Sequence, residues 1–295
     1  MGIKRRTRIW TTVGTAALIG GLAACSEPAG EAGESGGGST ATSEHASDTG
    51  HQAPSTPAFS EGEGEGEGEG GGGGGEFGID PVAAETDPVV YGIAVEVMRA
   101  HYLAGIDAFE AGDRTAGAEM FAHPISEIYI DFEPVLEHLG APLFGETMNA
   151  AAVAPYSGET DAEIRVKVET VIDALDEAES YAPDSEASAG AVHARILSDL
   201  VERGALQYRV AATNPHAGEA YLDGYGFAKA AERYAGRHMA DITAADTDLA
   251  ADFIAVIADL LAAFPTALRP DTLTADADAI LAASDTVKTG ANALD

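Results

Sequence analysis

Cysteine is almost missing from this chain of 295 residues: Cys25 is the only one. No disulfide framework can therefore brace it, and its stability must come from a packed core. Basic residues are scarce too, with 16 Lys and Arg against 49 Asp and Glu. That imbalance repels phosphate backbones and anionic lipid headgroups, which excludes nucleic acid as a natural partner. Almost no window alternates with the period of a strand, which argues against a sheet. The chain also lacks a nucleophile elbow, a phosphate loop, a dinucleotide-binding glycine pattern and an HExxH zinc motif. Those absences count against an ordinary hydrolase or kinase, and the chain is read as a binding protein and not an enzyme.

What is present starts at the N-terminus. Lys4, Arg5, Arg6 and Arg8 precede a short apolar stretch from Ile9 to Ala24. A basic head, a short apolar body and a small-residue exit make a signal peptide, and the stretch falls short of the about 20 residues of a membrane span. The exit, Leu22-Ala23-Ala24-Cys25, resembles the lipobox of bacterial lipoproteins, which implies a diacylglyceryl thioether on Cys25 and cleavage before it. Residues 1–24 are thus expected to be lost, leaving 12 basic against 49 acidic residues and a net charge of −37. The expected location is the cell envelope, lipid-anchored on the periplasmic face or the cell surface, with the membrane as partner through the N-terminal lipid.

Residues 25–80 are dominated by Gly, Ser, Thr, Glu and Pro, and include a run from Glu61 to Gly75 in which Glu alternates with Gly before becoming all Gly. Low hydropathy with one sign of charge cannot supply a core, so this segment reads as a disordered tether. A flexible chain of this length has a root-mean-square reach of about 40 Å.

From residue 81 to residue 295 Ala, Leu, Val and Ile recur at helical spacing, predicting one all-α domain built as an antiparallel helical bundle. Helices are expected over 88–111, 113–124, 124–140, 143–153, 159–180, 186–212, 217–238, 246–263 and 274–289. Asp87-Pro88 is an N-cap with proline at the first helical position, and Gly112 and Gly140 are stops. Pro134 should kink its helix. The segment around Gly105, Phe109, Gly112 and Phe121 resembles a single tetratricopeptide hairpin with no second copy.

The candidate chemistry lies in histidines and carboxylates. His123 stands four residues before Glu127, one helical turn along the same face. His101 and His193 each fall in or beside an apolar stripe and should point into the bundle. Imidazole suits transition metals and the carboxylate widens the choice, so His101, His123, Glu127 and His193 are the expected ligands of iron, zinc or copper. Asp131 is a further candidate, whereas His138 and His238 are expected to meet terminal carbonyls at helix ends. The aromatic and glycine-rich stretch Gly218–Phe227 is expected to let two helices approach closely.

The His-and-Glu pair, together with Glu219, Tyr221, Gly226 and Phe227, is similar to the imelysin and EfeO-type exported lipoproteins of bacterial iron uptake. Those proteins carry GxHxxE, whereas here Ala122-His123 is followed by glutamate at the fourth position, Glu127. The resemblance implies metal uptake or handling with an envelope transport protein as partner. The alternative is a non-catalytic bundle whose acidic faces contact another protein, with His101 and His193 as ordinary core residues.

Overall fold

A computed structural model describes residues 79–295. The signal peptide, Cys25 and all of the tether before Ile79 lie outside the described residues. Within them the chain is all-helical, a bundle with no strand. Its helices are α1 (Pro81–Ala84), α2 (Pro88–Glu110), α3 (Arg114–Pro124), α4 (Ile130–Leu139), α5 (Gly145–Val153), α6 (Asp161–Glu179), α7 (Ala189–Thr213), α8 (Gly218–Ala245), α9 (Thr247–Ala263) and α10 (Ala277–Asn292).

The starts follow side-chain chemistry. Asp87 accepts the Val89 N–H at 2.8 Å to open α2, and Asp246 accepts Asp248 and Leu249 N–H groups to open α9. Thr160 and Glu163 form a reciprocal capping box at α6. Each satisfies donors that a helix start otherwise strands, a contribution of about 1 kcal/mol per cap.

α2 is the central element. Most of its residues between Tyr91 and Phe109 are buried, with Ile93, Leu103, Ile106 and Asp107 partly so, and it packs against α3, α6, α7 and α8. By length and hydropathy it could cross a membrane, but 72% of its apolar window is covered by the rest of the bundle. Its apolar residues lie on more than one face, as a helix covered by several neighbours requires.

Besides His101, two charged residues in α2, Glu96 and Arg99, are also fully buried. The Arg99 guanidinium meets Glu96 at 3.0 Å and Asp176 of α6 at 2.7 Å, while Arg237 of α8 reaches Glu96 at 2.9 Å and Arg233 reaches Asp176 at 2.6 Å. A charge taken out of water needs such partners.

Three expectations are corrected. The helix expected to begin at Pro124 does not begin there: α3 passes into a π-helical turn, Ile125–Tyr129, and then into α4 without a break. Proline lacks the N–H that an α-helix interior uses, and the wider turn lets the chain continue past it. α8 does not stop near residue 238 but continues to Ala245, because residues 239–245 hold no Gly or Pro before the Asp246 cap. Residues 81–84, expected to precede the first helix, form the short α1, capped by Asp80.

Candidate functional site

The α2–α3 hairpin turns at Ala111-Gly112-Asp113, where Gly112 takes φ 105°, a left-handed conformation that glycine adopts without a Cβ clash. The two helices then approach very closely. A Cβ on Gly117 would fall 2.7 Å from the Gly105 carbonyl oxygen, and one on Gly105 would fall 2.7 Å from the Phe121 ring. The Tyr102 ring lies nearly parallel to that of Phe121, and its hydroxyl donates to the Phe121 carbonyl at 3.2 Å. Both rings are fully buried, each contributing about 1.5–3 kcal/mol of apolar transfer. This register sets His101 of α2 beside His123 of α3.

His101, His123 and Glu127 converge there, with one ligand atom from each lying within 4.8 Å of the others. His101 Nε2 is 4.0 Å from one Glu127 oxygen and His123 Nδ1 is 3.9 Å from the other. The two imidazoles lie edge to face, with centroids 6.2 Å apart. Glu127 sits in the π turn, an irregularity frequent at functional sites.

The electronic state of His101 follows from its partners. Its Nδ1 is 2.8 Å from the Val97 carbonyl, which can only accept, so Nδ1 carries the proton and Nε2 the lone pair. Burial, reinforced by the neighbouring His123, lowers its pKa to about 4 against the opposing effect of the Val97 hydrogen bond. The ring is therefore neutral at pH 7, the form that binds metals. Outer-shell hydrogen bonds of this kind orient metal-ligating histidines. Two imidazoles and one carboxylate are donors of the kinds that zinc and other transition metals take, one short of the four of a tetrahedral shell. Ligand atoms of a tetrahedral zinc site lie about 3.3 Å apart, so closing on an ion asks for side-chain shifts of under an ångström to about 1.5 Å.

His193 does not belong to this group. It lies on α7 in a second one, with His238 and Asp241 of α8. His238 was expected at a helix end; it sits well inside α8 and its Nε2 meets Glu179 at 2.8 Å. Asp131 is exposed and outside both groups, and His138 is exposed near the end of α4. Missing from the expectation were His238 and Asp241 as a pair; their i, i+3 spacing was the available signal.

The Gly218–Phe227 stretch does bring helices together. A Cβ on Gly226 would fall 2.5 Å from the Ala100 carbonyl, so α8 backs α2 beside His101. Tyr221 donates to the Thr266 carbonyl at 2.8 Å, Phe227 is buried, and Glu219 is exposed at the start of α8. Compared with family models, curated proteins and solved structures, the chain matches none of them.

Proposed function

We propose that this chain is an exported lipoprotein, anchored through Cys25, whose helical domain binds a transition-metal ion for uptake or handling at the cell envelope. The observation that carries the metal reading is the meeting of His101, His123 and Glu127 across the α2–α3 hairpin. A neutral buried imidazole with its proton committed to a carbonyl, a second imidazole and a carboxylate together suit iron, zinc or copper better than calcium or magnesium, which prefer all-oxygen shells. The anchor rests on the lipobox at residues 22–25. A tether of Glu and Gly between lipid and bundle would let an acidic domain stand clear of the membrane surface and meet an envelope transport protein.

Calorimetric titration of the full chain with Zn2+, in millimolar Mg2+ to occupy carboxylate-only sites, tests the site. His123→Ala is expected to weaken the tightest event by at least 100-fold, and an unchanged isotherm would sink the assignment. Cys25→Ser is expected to move the protein from the membrane to the soluble fraction; retention at the membrane would remove the anchor from the reading.

A further inference from the structure

Outside the hairpin, α7 and α8 make their own close approach. A Cβ on Gly190 would fall 2.6 Å from the Asp241 carbonyl oxygen and 2.6 Å from the Ala245 methyl. His193 stands three residues after Gly190, on the same face of α7, so this contact seats its ring against α8. There it stacks on His238, with centroids 4.0 Å apart and planes 20° from parallel. Its Nε2 lies 3.7 Å from the Asp241 carboxylate.

The outer ring nitrogens are held by protein groups. His238 Nε2 meets Glu179 at 2.8 Å. Arg237 bonds the same carboxylate, which therefore acts as acceptor, so His238 Nε2 donates to it and Nδ1 is the ring nitrogen left for an ion. His193 Nδ1 meets the Tyr234 hydroxyl at 2.7 Å, a group able to donate or accept, and that contact aims Nε2 at Asp241. Both imidazoles thus have an outer partner of the kind that orients the ring in metal sites. Arg99, Arg233 and Arg237 stand nearby, yet Glu96, Asp176 and Glu179 bond them. The Asp241 charge is left for a cation.

We infer that His193, His238 and Asp241 form a second, solvent-facing site for a divalent transition-metal ion of the zinc, copper or nickel class. It is independent of the hairpin site. Asp241 is 53% exposed and the two rings are about one-fifth exposed, which gives an ion direct entry from water.

The test counts Zn2+ bound to the full chain by equilibrium dialysis in millimolar Mg2+, with Asp241→Asn and His193→Phe made in both the wild-type and the His123→Ala backgrounds. Phenylalanine keeps a ring on His238 and removes the ligand nitrogen. His193→Phe is expected to bind one Zn2+ fewer than its parent in each background, and Asp241→Asn to weaken that ion at least tenfold. Binding unchanged in number and affinity by both substitutions would overturn the site. Loss of one ion in His193→Phe with no effect of His123→Ala would leave this site standing and remove the hairpin site instead. Should His193→Phe lose its helical circular dichroism, the exposed Asp241→Asn decides alone.

Discussion

The two histidine–carboxylate groups use the same ligand types in opposite surroundings. On the α2–α3 hairpin, His101 is sealed in the core and its proton is held by a backbone carbonyl. On α7–α8, the rings are half-buried and held by side chains, Tyr234 and Glu179, at the edge of a buried arginine–carboxylate network. Burial of the first makes protonation costly, so a proton competes poorly with a metal there. The second trades that protection for access. Glycine sets the geometry of both, through Gly105 and Gly117 in one and Gly190 in the other.

The largest expected effect separates the network from the hairpin. Arg99→Met takes the one fully buried guanidinium from Glu96 and Asp176, leaving them the partly exposed Arg237 and Arg233, and removing one member of a buried ion group costs about 3–5 kcal/mol. Denaturant unfolding should show that loss, and Zn2+ affinity at the α7–α8 group should fall more than at the hairpin. Equal losses would mean that the two groups are not energetically distinct.

Next comes pH. The pKa of His101 is about 4 in the fold and about 6.5 when unfolded, so the unfolded chain binds more protons between those values. Metal-free stability should therefore be complete above about pH 6.5 and fall as pH drops toward 4, by up to about 3 kcal/mol for this group. In His101→Phe that slope should be reduced. Glu179, with its pKa lowered to about 2, adds a separate loss as pH falls from about 4.5 toward 2. An identical slope in wild type and His101→Phe between pH 4 and 6.5 would contradict the burial argument.

The smallest effect should be Tyr234→Phe, which removes the hydroxyl behind His193. Stability should fall by about 1 kcal/mol, and Zn2+ affinity at α7–α8 by about tenfold, with the hairpin unaltered.

Much of this architecture is legible in the residues because capping and punctuation are local. Asp87-Pro88, the Ala111-Gly112-Asp113 turn and Gly140 mark boundaries that the fold uses. The pairing of His123 with Glu127 follows from helical spacing, and the burial of His101 from its apolar neighbours. Grouping His193 with them does not follow, because which helices face one another is a tertiary matter. The second group was hidden by one boundary: ending α8 near His238 detached Asp241 and made His238 a terminal residue. Residues 239–245 contain no breaker, which is the physical reason that the helix continues. The π turn is likewise unreadable from apolar periodicity, since Pro124 usually marks a start and here sits mid-helix.

The central claim is that His101, His123 and Glu127 close on one metal ion. X-ray absorption of the Zn2+-loaded full chain in the His193→Phe background, at one equivalent of metal, measures that directly. The expected shell contains two imidazole nitrogens and a carboxylate oxygen at about 2.0–2.2 Å, with one imidazole lost in His101→Ala. A shell of carboxylate and water oxygens alone, unchanged by His101→Ala, would contradict it.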